Sequence, residues 1–214
     1  GCMDGFETTV RIILGQQVTV AAACTLAGRL VQRLGEPIST PIAGLSHLFP
    51  TPEAIASADP ADIGTLGIVR SRVGALQAVA RAVVDGRLRL HPAEPMAPLL
   101  ADLLALPGIG PWTTELVAMR VLGWPDAFPA SDVGVIQALG GLKAADSVPL
   151  AEDWRPWRSY AVMQLWHSLT QATSSPAAAL RRAPAARTNP AADNTGHADP
   201  APSAGLLTTG ASTP

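Results

Sequence analysis

The residues best suited to chemistry come in a fixed order along the chain. They are the stretch Leu106-Pro-Gly-Ile-Gly-Pro-Trp-Thr-Thr-Glu115, then Asp132, then Trp154, Trp157, Tyr160 and Trp166. In the first stretch two glycines admit positive φ and close backbone approach, and Pro111 stands where a helix can begin. It reads as a hairpin between two helices, with bare amides at the start of the second. Such a turn is either a plain helix–helix connection or a seat for an anion, a phosphate being the one a Gly-lined turn approaches most closely. Asp132 follows a loop set by Pro125 and Pro129 and opens the next helix. An Asp there caps the helix, and its carboxylate can also stabilise developing positive charge or orient a water; the two roles are compatible. The tryptophans offer either core packing or π faces that attract a cation by about 0.5–2 kcal/mol.

The elements that must position these groups are helical. Phe6, Val10, Ile13 and Leu14 have helical spacing before Gly15, and an Ala-rich helix runs from about Val18 to Leu34. Residues 36–51 are a connection. Thr51-Pro52 and Asp59-Pro60 mark two short helix starts. A longer helix spans about 70–86, another about 96–104, and the hairpin's second helix ends at Leu122-Gly123. A helix follows from Ser131 to about Gly140, and the last runs from near Arg155 to about Thr170, with Arg158 steadying it and Trp154 and Trp157 structural. No alternating β-branched strand appears, so the expected fold class is all-α, a domain of about eight to ten helices. Beyond residue 171 Pro, Ala, Ser, Thr, Gly and Asn dominate without periodicity, so 172–214 is expected to be a disordered tail and 1–171 the domain.

Composition narrows the partners. The 214 residues are 48% hydrophobic and 15% charged with net charge −2, which argues against a polybasic binder that works by phosphate neutralisation. A nucleic-acid protein of this composition needs a localised surface of helix ends and a few arginines. The two cysteines and four histidines lack metal-ligand spacing. No signal peptide and no run of about 18 apolar residues is present, so a cytoplasmic location is expected. A helix begins almost at once after Gly1, as in a piece of a longer protein.

Four segments together resemble the HhH-GPD DNA glycosylases, specifically the AlkA-type 3-methyladenine DNA glycosylases. They are LPGIGPWT (106–113), AMRVLGWPDAFPASD (118–132), RPWRSYAVMQLW (155–166) and DGFETTVRIILGQQVTVAAA (4–23). The likeness covers nearly all of the chain to about residue 171. The small β domain that precedes these helices in full-length AlkA-type enzymes has no counterpart in the sequence, and some bacteria fuse the enzyme behind an alkyl-transfer regulator.

The resemblance implies a monofunctional glycosylase that extrudes and hydrolytically releases alkylated purines of the 3-methyladenine and 7-methylguanine type from duplex DNA. It also implies two helical subdomains with a helix-hairpin-helix at about 99–122 and a cleft between them. Asp132 matches the catalytic Asp and is expected to line that cleft within about 10 Å of Trp112. Trp112 and Trp166 match the pocket walls, and Leu116 stands where the best-known relative has a pocket Tyr. Gly108, Gly110 and Thr113 would hold a phosphate, and Gln17 occupies the wedge position, which in that relative is apolar. The carbonyls of Leu104, Leu106 and Ile109 would hold a Na+ or K+ ion when DNA is bound; no other cofactor is implied. Strand-nicking relatives place a Lys where Trp112 stands, and an indole cannot form a Schiff base. The expected partner is duplex DNA, with no membrane and the chain a monomer, nucleoid-associated through DNA. The competing readings are a non-catalytic helix-hairpin-helix DNA-binding module, an inactive fragment of a larger alkylation-response protein, and an all-helical partner-binding fragment.

Overall fold

The computed structural model describes residues 2–174. Ten α-helices run in order: α1 (Gly5–Leu14), α2 (Val20–Leu34), α3 (Pro52–Ser57), α4 (Pro60–Thr65), α5 (Arg70–Val84), α6 (Met96–Leu104), α7 (Pro111–Arg120), α8 (Val133–Ala138), α9 (Ala144–Ala151) and α10 (Arg158–Ser174). A 3-10 turn, Glu152–Trp154, joins the last two. The described residues contain no strand; the nearest thing to one is an antiparallel bridge between Pro37 and His47.

The helix starts follow the residues placed there. Asp4, Thr19, Thr51 and Asp59 each accept a backbone N–H from two or three residues on, and Pro52 and Pro60 follow two of these caps directly. Two differences from expectation stand out. Helix α9 is absent from the sequence reading, because Pro149 lies inside it and a proline there normally argues against a helix. The last helix starts three residues later than expected and extends to Ser174. Residues 172–174 thus belong to it, and the remainder of the expected tail lies outside the described residues.

Two cores account for the architecture. Val10, Ile13, Leu14, Leu30, Ile55, Ile63, Leu76, Val79, Leu103 and Val117 lie in the first, and each such side chain contributes about 1.5–3 kcal/mol on burial. Leu116, Ala118, Met119, Ala127, Phe128, Val135, Ala151 and Val162 form the second. Helix α7 belongs to both: Val117, and Val121 just past its end, face one core, Leu116, Ala118 and Met119 the other. The helix that leaves the hairpin is therefore the wall between two helical subdomains.

Candidate functional site

The hairpin is fixed from below. Gly108 has φ +78, and a Cβ there would lie 2.8 Å from the Cβ of Ala75 on α5, so both the turn and the contact with α5 require glycine. Gly110 is the N-cap of α7 and no side chain caps that end, leaving the first amides of the helix open. From the α1–α2 loop, the Gln16 side-chain amide donates to the Gly108 carbonyl and to the Thr113 hydroxyl, each at 3.0 Å. Arg72, buried at the start of α5, donates to the Gln16 carbonyl at 2.9 Å. The loop, the hairpin and α5 are thus one hydrogen-bonded unit. The next residue, Gln17, is exposed at the loop tip with φ +54, a conformation uncommon outside glycine.

Asp132 is half-buried and receives three N–H donors. Oδ1 accepts from the Val135 amide at 3.1 Å and from Trp166 Nε1 at 2.9 Å. Oδ2 accepts from Trp112 Nε1 at 3.0 Å. Asp132 and Trp112 thus come together as expected, and Trp166 with them. Both indoles are half-buried, with their edges turned to the carboxylate and their rings packed against the second core.

The loop that delivers Asp132 is pinned along its length. Glu115 of α7 accepts from the Phe128 amide at 2.9 Å. Ser159 accepts from the Ala127 amide at 3.0 Å and donates to the Trp124 carbonyl at 2.7 Å. Asp126, 7% exposed, receives Arg158 Nε at 2.7 Å and Nη2 at 3.0 Å, and Arg155 bonds the same carboxylate. Burial alone would raise the Asp126 carboxyl. The hydrogen bond and charge of Arg158, with the charge of Arg155, outweigh it and hold the carboxyl below its ordinary 3.8. Exposed Glu152 is likewise lowered, chiefly by its hydrogen bond from Arg155. Arg158 and Ser159 open α10, which also carries Trp166, so one clamp sets both the Asp132 loop and the Trp166 helix.

Several expected roles are corrected. Thr113, expected to offer its hydroxyl to a phosphate, is 2% exposed with that hydroxyl engaged by Gln16. Leu116 is buried in the second core, against which both indoles pack. Trp157, expected to be structural, is 59% exposed and meets only Tyr160 edge-on among the aromatic rings, whereas Trp154 packs edge-on against Phe128. At the turn, the Leu106 carbonyl accepts from the Ile109 amide at 3.2 Å. Gln16, Arg72, Glu115 and Asp126 were missed as site residues, since their roles depend on contacts between residues far apart in the chain.

The sequence pattern of the HhH-GPD superfamily base excision DNA repair proteins matches residues 10–155. The chain belongs to this family. It is 43% identical over 172 residues to the probable bifunctional transcriptional activator/DNA repair enzyme AlkA of Mycobacterium tuberculosis H37Rv, covering 78% of this chain and 34% of that protein. It is 38% identical over 170 residues to DNA-3-methyladenine glycosylase 2 of Escherichia coli K12, covering 78% and 59%. The HhH-GPD chain thus spans between a third and three-fifths of the length of these relatives. Among solved structures, the 3-methyladenine DNA glycosylase of Archaeoglobus fulgidus superposes with a TM-score of 0.65 at 27% identity, over 77% of this chain and 58% of the other. A Schizosaccharomyces pombe 3-methyladenine DNA glycosylase in complex with abasic DNA shares the fold, with a TM-score of 0.67 at 22% identity over 81% and 82%. None of the described helices is long and apolar enough to cross a membrane.

Proposed function

We propose that this chain is the helical catalytic part of a monofunctional DNA glycosylase that hydrolyses the N-glycosidic bond of alkylated purine nucleotides in duplex DNA. The observation that carries this reading is the convergence of Trp112 and Trp166 on the two oxygens of Asp132. The open amides of the hairpin would hold a backbone phosphate, and exposed Gln17 would occupy the space vacated by the extruded nucleotide. A purine alkylated at N3 or N7 carries positive charge, so indole faces attract it and the base departs without a dedicated general acid. As the bond from C1′ to the ring nitrogen breaks, its electron pair leaves with the base and the sugar becomes cationic. Asp132 stabilises that cation, and a water oriented by Asp132 bonds to C1′ and gives up its proton to that carboxylate. The carbonyls of Leu104, Leu106 and Ile109 are neutral oxygens of the kind that fit Na+ or K+, which would steady the hairpin against the phosphate.

The test is release of methylated purines from alkylated duplex DNA by the chain and by Asp132→Asn, with binding to an abasic duplex measured in parallel. Asp132→Asn is expected to lose about two to three orders of magnitude in release, while abasic-DNA affinity stays within about threefold. Equal release by both proteins would refute the role given to Asp132. Binding without release by either would favour a helix-hairpin-helix binding module.

A further inference from the structure

Gly134 is the second residue of α8, two positions beyond Asp132. Its φ lies outside the left-handed region, which among the described glycines is confined to 44, 67, 86, 108, 123, 140 and 141. The backbone therefore does not require glycine, and a short helix is more stable with alanine. The space beside Gly134 does require it. A Cβ there would lie 2.8 Å from Trp166 Cδ1, 2.9 Å from Trp166 Nε1 and 3.1 Å from Asp132 Oδ1. Nε1 and Oδ1 are the two ends of the 2.9 Å Trp166–Asp132 hydrogen bond.

We infer that Gly134 is a positioning residue: its missing side chain is the slot in which the polar edge of Trp166 reaches Asp132. The slot fixes two things together. It sets the plane of the Trp166 ring, and it fixes Oδ1, the oxygen shared by the Val135 amide and the indole. Oδ2 is thereby turned to Trp112, so both tryptophans take their orientation from one carboxylate. A methyl group at 134 forces the Trp166 edge back by about 0.8 Å to reach ordinary carbon contact. That retreat stretches the hydrogen bond past its useful range. The consequence for catalysis rests on the glycosylase reading above; the consequence for the indole does not.

The experiment uses the full chain with 15N-labelled indoles, together with base release and abasic-duplex binding. In Gly134→Ala the Trp166 indole N–H resonance is expected to move toward the position of an unbonded indole. The kcat for release should fall at least about tenfold, in line with the cost of an ångström-scale misplacement at a reacting centre. Affinity for abasic DNA should stay within about threefold, which a global loss of structure would not allow. Trp166→Phe keeps an aromatic face but removes the N–H, and it should lower kcat by a similar factor. Adding Gly134→Ala to it should cost less than about threefold more. An unmoved Trp166 resonance, an unchanged kcat in Gly134→Ala, or multiplicative losses in the double variant would overturn the inference. If Gly134→Ala does not fold, Trp166→Phe decides, an unchanged kcat overturning it. If the unsubstituted chain releases no base, the glycosylase reading falls and the Trp166 resonance alone decides the slot.

Discussion

Replacing Arg158 with methionine keeps most of the side chain's volume and removes its charge. The Asp126 carboxylate then loses Nε at 2.7 Å and Nη2 at 3.0 Å, and the Asp126 carbonyl loses a second Nη2 bond at 2.7 Å. Breaking one side of a buried ion pair leaves an uncompensated charge. With Arg155 still beside Asp126, the expected loss at neutral pH is about 3 kcal/mol, at the lower end for such pairs. The pH dependence has a definite sign. The Asp126 carboxyl is lowered in the folded protein, so its contribution is full above the ordinary value of 3.8 and is lost as pH falls through the lower folded value. In Arg158→Met, burial acts on the carboxyl with only Arg155 against it, so protonation relieves the variant, and its deficit shrinks as pH falls below about 4. Urea unfolding followed by far-ultraviolet circular dichroism, from neutral pH down to about pH 3, measures both effects. A deficit under about 1 kcal/mol at neutral pH, the size of a surface pair, would refute the reasoning. So would a deficit that is the same at both ends of the pH range. Because Arg158 opens the helix that carries Trp166, base release should fall along with stability.

Gly108→Ala should cost about 2–4 kcal/mol, since alanine at φ +78 is strained and its Cβ would lie 2.8 Å from that of Ala75. Abasic-DNA affinity should fall with it, and a urea midpoint unchanged from the parent would contradict this. Gln16→Ala should weaken abasic-DNA binding about tenfold, or 1.4 kcal/mol, by uncoupling the Gln17 loop from the hairpin. It should also destabilise by about 1–2 kcal/mol through the buried Thr113 hydroxyl it leaves without that donor. Unchanged affinity would show that the loop and hairpin bind DNA independently.

The fold was largely legible because its signals are local. Thr51-Pro52 and Asp59-Pro60 announce helix starts from adjacent residues, and the structure has them there. Helix α9 was not legible, because Pro149 outweighed an otherwise helical stretch. Trp157 could not be placed either: an aromatic residue beside a helix reads the same whether its face is covered or, as here, open. At the site, Trp112, Asp132 and Trp166 were visible as residue types in order. What holds them was not, since Gln16 meets Gly108 and Glu115 meets Phe128 only once the chain is folded. In the sequence Gly134 is simply one residue of a helix; only the approach of Trp166 shows why it has no side chain.

Asp132 could be read from sequence as a helix cap or as a working carboxylate, and its two oxygens separate these roles. Oδ1 is occupied twice, by the Val135 amide of its own helix and by Trp166. Oδ2 accepts a single bond, from Trp112, and keeps a lone pair. Capping therefore fixes the direction of the oxygen that remains available, rather than competing with it. The same division explains why Asp132→Asn is the informative substitution. An asparagine can keep its carbonyl oxygen on Val135 and Trp166, which preserves the cap and the helix. Its amide group then faces the Trp112 N–H, donor against donor, with the charge gone. Stability should change little, by less than about 1 kcal/mol, while base release collapses. A large loss of stability in Asp132→Asn would mean that the carboxylate serves the fold first.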